Sequence, residues 1–417
     1  MRATRLPNGI RVVSEELPAL GSVTVGIWVE NGSRYERPEQ AGISHFLEHL
    51  FFKGTARRTA AQIAEEIDAV GGVLNAFTGK EYTCYYAKVL DEHLPLALDL
   101  LADVFTCSTF AEEEIDRERT VILQEISQIE DTPDDYVHDL FMRAFWRDHP
   151  LARPIAGTAS SVSTFHRAGF MEFFGERYRP NRIVVAGAGN LQHQALVDVV
   201  AAHLGPLTGT STIEAGAVPT PVGGVTVHEK DLEQVHLCFG APGIAQDDED
   251  RYAAHLLNSA LGGGMSSRLF QEIRERQGKA YTVYSFLTSY RDAGYTGVYV
   301  GTSAKWVRDV SACVRAETAR VVREGLAPAE LGRVKTQMKG GMQLGLETSD
   351  SRMTRIAKND IYYGRDVPIS EVASRFDAVT NDDIVRVATR LFGGGVLQLT
   401  VLGAVGDGQV DAGLLAG

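Results

Sequence analysis

Gly42-Ile43-Ser44-His45-Phe46-Leu47-Glu48-His49-Leu50-Phe51-Phe52 places three metal-chemistry side chains within five positions of an apolar run. A helix here stands His45 and His49 one turn apart on one face, with Glu48 beside them. Two imidazoles and a carboxylate, with one coordination position left open for water, suit a catalytic zinc ion. The spacing H-x-x-E-H inverts the commoner H-E-x-x-H and is itself a known zinc-site pattern. Ile43, Phe46, Leu47, Leu50, Phe51 and Phe52 predict a largely buried helix, and buried imidazoles and carboxylates need partners. The stretch lacks a third protein ligand of its own.

A second stretch answers that need. In Glu112-Glu113-Glu114-Ile115-Asp116-Arg117-Glu118-Arg119-Thr120-Val121-Ile122-Leu123-Gln124-Glu125-Ile126, residues Glu118, Ile122 and Glu125 fall at i, i+4 and i+7. Two carboxylates therefore share a helix face with an apolar residue between them. Val121, Ile122, Leu123 and Ile126 make that turn apolar, so a carboxylate there calls for a cation. A zinc ion held by two histidines is such a cation.

Around these helices strand-like and helical stretches are mixed. Ile10, Val12 and Val13, then Val23, Val25, Ile27 and Val29, read as strands, the first entered through an Asn8-Gly9 turn. Thr59 to Val70 reads as an amphipathic helix with Thr59 as N-cap and Gly71-Gly72 as its stop. Val73 to Phe77 and Tyr82 to Val89 are strand-like, residues 94–145 mainly helical, and Arg182 to Gly187 a strand. Residues 206–224, poor in charge and rich in Thr, Ser, Gly, Pro and Ala, read as a linker. It divides a domain at 1–210 from one at 225–417.

Beyond the linker the pattern recurs, with Tyr82-Thr83 returning as Tyr295-Thr296, 213 residues later. The same shift carries His45, Glu48 and His49 onto Asn258, Leu261 and Gly262, so the second half reads as a duplicate without metal ligands. Strands and helices mixed rather than regularly alternated predict α+β domains.

With 44% hydrophobic and 23% charged residues the 417-residue chain is typical of globular proteins and long enough for two full cores. Its 41 Lys and Arg against 54 Asp and Glu leave a net charge of −13, which disfavours nucleic acid and anionic membranes as partners. Cationic peptides are compatible with that charge. Cys84, Cys107, Cys238 and Cys313 form no C-x-x-C pair and read as reduced thiols of a cytoplasmic protein. The first residues carry no apolar signal-like run, and no segment has the length of a membrane span.

The residues resemble the pitrilysin or insulinase zinc metallopeptidases, and among them small subunits similar to mitochondrial processing peptidase. The resemblance runs from Leu6-Pro7-Asn8-Gly9 through His45-Phe46-Leu47-Glu48-His49 and Asn75-Ala76 to Ser267-Arg268-Leu269-Phe270 and Ala280-Tyr281. It implies two duplicated domains, each a mixed, mainly antiparallel sheet packed with helices. It implies one zinc per subunit, with a glutamate 76 residues after the second histidine as third ligand, which is Glu125. Glu48 would then be the general base and Glu118 a carboxylate orienting a ligand histidine.

The family's Arg and Tyr seven residues apart match Arg274 and Tyr281, as hydrogen-bond donors to the substrate carbonyl. Asn75-Ala76-Phe77 matches the sheet edge that binds an extended peptide by strand addition. Asp135 and Asp139 match acidic positions associated with a substrate arginine, although Glu130, Asp131 and Asp134 make the same run a plausible solvated face. The resemblance further implies a homodimer in which Arg274 and Tyr281 of one subunit complete the zinc site of the other. The competing expectation is a non-catalytic scaffold subunit of the same fold.

Overall fold

The computed structural model describes residues 1–213, 216–394, 397–406 and 408–415. Glu214 and Ala215, within the expected linker, lie outside the described residues, as do the last two residues of the second expected domain. Two compact units are present. Unit 1 holds Met1–Gln128, Arg153–Gly216 and Leu344–Val367; unit 2 holds Ile129–Ala152, Ala217–Gln343 and Pro368–Gly417.

Unit 1 is built on six strands: β1 (Arg2–Arg5), β2 (Arg11–Glu16), β3 (Ser22–Val29), β4 (Val73–Thr78), β5 (Thr83–Leu90) and β6 (Ile183–Gly189). Their spatial order is β1-β2-β6-β3-β5-β4. Only the β2/β6 pair is parallel, so the sheet is mixed and mainly antiparallel. β3 is buried along nearly its whole length, as befits a Val/Ile-rich strand covered on both faces. β4 is an edge strand, with β5 on one side only. The first five helices lie between β3 and β6 in the sequence: α1 (Ile43–Phe51), α2 (Ala60–Asp68), α3 (Leu94–Cys107), α4 (Glu112–Glu130) and α5 (Pro133–Trp146), the last belonging to unit 2. Thr59 caps α2 by accepting from Gln62 N, as its sequence predicts.

Unit 2 has five strands: β7 (Gly224–His228), β8 (Val235–Pro242), β9 (Ala280–Ser289), β10 (Gly294–Thr302) and β11 (Gln398–Leu402). The order β7-β11-β8-β10-β9, with β7/β11 parallel and the rest antiparallel, repeats β2-β6-β3-β5-β4 strand for strand. The fold is therefore α+β and duplicated.

The compact units depart from a single cut at 206–224. Helix α5 packs on β8 and β11, where Phe141, Phe145 and Trp146 join Cys238, Tyr299 and Leu402 in one core. Conversely the helix Ser349–Tyr363 packs on β2, β3 and β6, placing Met353, Ile356 and Ala357 against Val13, Trp28 and Val184. Each half of the sequence thus contributes one helix to the other half's sheet. Among the described residues no helix is long and apolar enough to cross a membrane. All four cysteines are free.

Candidate metal centre

The start of α1 is fixed from outside the helix. Gly42, its N-cap, has φ +94°, and a Cβ there would lie 2.6 Å from Ala156 O, so glycine is required. Having no side chain, Gly42 cannot cap the helix, and the buried Glu36 does so instead. Its two carboxylate oxygens accept from Gly42 N and Ser44 N, each at 2.9 Å. Burial pushes the Glu36 carboxyl up to about 7, although these backbone donors pull the other way. Phe46, Leu47, Leu50 and Phe51 then anchor the inner face of α1.

The outer face of α1 presents the histidines. His45 Nε2 lies 3.6 Å from Glu125 Oε1, and His49 Nε2 lies 3.7 Å from Glu125 Oε2. One ligand atom from each of the three residues falls within a 4.8 Å sphere of mutual distances. Contacts of this length are too long for hydrogen bonds. They are close to the ligand-to-ligand spacing of about 3.4 Å that tetrahedral bonds of about 2.1 Å impose. Burial, and then the neighbouring His49, hold His45 down at about 4, so its imidazole is neutral and has a lone pair to give at pH 7. The donor set, its spacing and the neutral His45 imidazole fit zinc.

Three further side chains complete the arrangement. Glu118 is buried, and its Oε2 accepts from His49 Nδ1 at 3.1 Å, which leaves Nε2 of that ring for a metal. Its other oxygen pairs with Lys53 Nζ at 2.7 Å. Glu48 stands beside the histidines, where burial raises its pKa while the Thr78 hydroxyl and His49 oppose that shift and Glu125 adds to it. Thr78 Oγ1 donates to Glu48 Oε2. Sequence reasoning missed Lys53, Thr78 and Glu36. Lys53 had a signal, four residues past His49 and thus one turn on; the other two had none.

The expected substrate residues divide into two groups. Asn75, Ala76 and Phe77 lie on β4, paired inward with Tyr86, Tyr85 and Cys84, so among the described residues the opposite main-chain edge has no strand partner. The Phe77 ring packs 5.4 Å from that of Trp28, so its side chain belongs to the core and only its main chain is available at the edge. Asp135 and Asp139 lie on α5, in unit 2, with Asp135 exposed and Asp139 half-buried.

Arg274 and Tyr281 also belong to unit 2. Residues Phe270–Arg276 form π-helical turns, a rare geometry concentrated at functional sites. The Arg274 guanidinium stacks over the Phe270 ring at 4.8 Å and the Tyr281 ring at 4.7 Å. Tyr281 is 74% exposed, at the head of edge strand β9. With Gln234, Lys279 and Trp306 the pair lines an open hollow of about 350 Å³.

A duplicated α+β chain with a His-His-Glu cluster on one copy has the ligand set of a candidate metal centre in one half of the duplication. Comparison with known proteins narrows the reading. Residues 11–159 match the insulinase peptidase family M16, and residues 164–338 match its M16 inactive domain. The chain belongs to peptidase family M16.

It is 43% identical to an uncharacterized zinc protease of Streptomyces coelicolor, over 99% of this chain and 91% of that protein. It is 42% identical to the uncharacterized zinc protease YmxG of Bacillus subtilis, over 92% of this chain and 94% of that one. The fold is shared with a protease from Helicobacter pylori, at a TM-score of 0.88 and 24% identity, over 97% of this chain and 99% of that one. It is shared as well with a peptidase M16 inactive domain from Pseudomonas fluorescens, at a TM-score of 0.90 and 20% identity, over 97% and 98%.

Proposed function

We propose that this protein is a zinc-dependent endopeptidase acting on peptides in extended conformation. The observation that carries this reading is the convergence of His45, His49 and Glu125 within 4.8 Å. Glu48 stands beside them. His45, His49 and Glu125 would hold zinc, one ion per subunit, and Glu118 would keep His49 in the tautomer that leaves Nε2 free.

When bound, zinc supplies a Lewis acid that lowers the pKa of a water and polarises the scissile carbonyl. Glu48 takes the proton from the attacking water and passes it to the leaving amine nitrogen. The unpaired edge of β4 at Asn75, Ala76 and Phe77 aligns the peptide through main-chain hydrogen bonds, which accept unfolded segments irrespective of side chain. Asp135 and Asp139 would favour a substrate arginine through charge-assisted hydrogen bonds. A scaffold subunit of the same fold, the competing reading, has no use for all four of His45, Glu48, His49 and Glu125.

The half-buried Arg274 and the exposed Tyr281, in the unit without metal ligands, support a homodimer in which the partner's Arg274 and the partner's Tyr281 stabilise the developing oxyanion. Mixing Glu48→Gln with Tyr281→Phe protein restores partial activity under this arrangement; verified exchange without recovery contradicts it. The general reading is tested with a fluorogenic peptide of extended, basic sequence. Cleavage that a chelator abolishes and zinc restores is expected, and cleavage unaffected by the chelator overturns the reading.

A further inference from the structure

Thr78 is the last residue of β4 and pairs inward with Thr83 on β5. Because β4 is an edge, the outer side of Thr78 faces no other strand of its sheet. Helix α1 packs on β4, and its Glu48 meets the Thr78 side chain. The Thr78 hydroxyl donates to Glu48 Oε2. Among the described residues no other side chain donates a hydrogen bond to Glu48. The unpaired edge of β4 therefore ends at the residue that grips the carboxylate on α1.

A general base works only within hydrogen-bond reach of the proton it takes and in the right direction. A glutamate has three torsions with which to miss that direction. The backbone of α1 fixes none of the outer ones. We propose that Thr78 is a positioning residue whose hydroxyl aims the Glu48 carboxylate and thereby joins the peptide-binding edge to proton transfer. One carboxylate oxygen is held by Thr78, and the other is free to receive the water proton and release it to the leaving nitrogen. Thr78 keeps its own proton throughout. This inference rests on the peptidase reading above and adds to it a residue that touches neither metal nor substrate.

Thr78→Val keeps the β-branched shape suited to a strand and removes the hydroxyl, while Thr78→Ser keeps the hydroxyl. Both are measured on a peptide that the wild-type chain cleaves. Zinc affinity is read separately by competition with a chromogenic chelator. Thr78→Val is expected to lose about 10- to 100-fold in kcat, part of the roughly 10²- to 10⁴-fold that a general base contributes. Its KM and zinc affinity stay at wild-type values, and Thr78→Ser retains most of the wild-type kcat.

Because Thr78 acts through Glu48, Thr78→Val causes no further loss in a Glu48→Gln background. The proposal is overturned by an unchanged kcat in Thr78→Val, by a loss that falls on KM or zinc affinity instead, or by losses that add in the double variant. A wild-type chain whose cleavage ignores the chelator overturns the peptidase reading itself, and Thr78 with it.

Discussion

Helix α1 of unit 1 and the helix Arg251–Gly262 of unit 2 stand 213 positions apart in the same strand frame, yet they meet their sheets differently. In unit 2 the helix is buried on almost every side, and Leu261 joins the core. A Cβ on Gly262 would lie 2.3 Å from Ser285 N on β9, and Ser285 Oγ donates to Asn258 O at 2.7 Å. Helix and strand touch there without room for a ring. In unit 1 the matching positions hold His45, Glu48 and His49, and the space beside them is occupied by the Glu125 and Glu118 carboxylates of α4. One frame is closed by packing, the other left open and lined with charge. The difference teaches that the fold does not depend on the metal: unit 2 keeps the frame with no metal-ligand cluster among its described residues.

The comparison is broken most severely by removing a ligand. His45→Ala and Glu125→Ala are each expected to abolish measurable peptide cleavage and zinc retention while leaving the unfolding transition of the metal-free protein within about 1 kcal/mol, since both side chains lie at the edge of the core. Metal analysis and thermal unfolding check this. Glu48→Gln comes next. It is expected to lower kcat about 10²- to 10⁴-fold with zinc still bound, because only proton transfer is removed.

The reverse experiment tests the closed half. Introducing the ligands as Asn258→His, Leu261→Glu and Gly262→His should create no second zinc site. It should cost more than about 3 kcal/mol of stability, from overpacking against β9 and an unpaired buried carboxylate. Calorimetry with metal titration would show both; a second bound zinc would refute the packing argument. Glu118→Gln is milder, weakening zinc binding about 10- to 100-fold, as loss of a carboxylate behind a ligand histidine does.

A further effect concerns pH and Glu36. Its folded pKa is raised from 4.5 to about 7, so its neutral form is favoured on folding. The stability this contributes is fully present below about pH 4.5 and lost as pH rises through about 7. The stability gap between wild type and Glu36→Gln should therefore shift against the wild type by up to about 3 kcal/mol between pH 4.5 and 8. Denaturant unfolding at both pH values measures it, and a pH-independent gap would show that the Gly42 and Ser44 donors fully offset burial.

Much of this was legible in the sequence, for local reasons. H-x-x-E-H needs only helical periodicity to be seen, and the face shared by Glu118 and Glu125 needs only a count of turns. The duplicated sheet showed through its Tyr-Thr strands. The exchange of helices between units was not legible. Periodicity tells which face of α5 or Ser349–Tyr363 is apolar but not which sheet receives it. The latter helix is fastened by partners distant in sequence: Lys88 to Asp350 at 2.8 Å, Arg352 to Glu15 at 2.8 Å, and Tyr362 to Glu81 at 2.8 Å. Glu36 and Thr78 escaped for the same reason, since their hydrogen bonds join separate elements and leave no spacing to read.

The open half of the comparison is tested most directly by the zinc content of the purified chain after equilibration with limiting zinc and gel filtration. About one zinc per chain is expected for the wild type and for Glu48→Gln, and none for His45→Ala or Glu125→Ala. Zinc retained undiminished without those ligands, or none bound by the wild type, would contradict the assignment of His45, His49 and Glu125 as the metal centre.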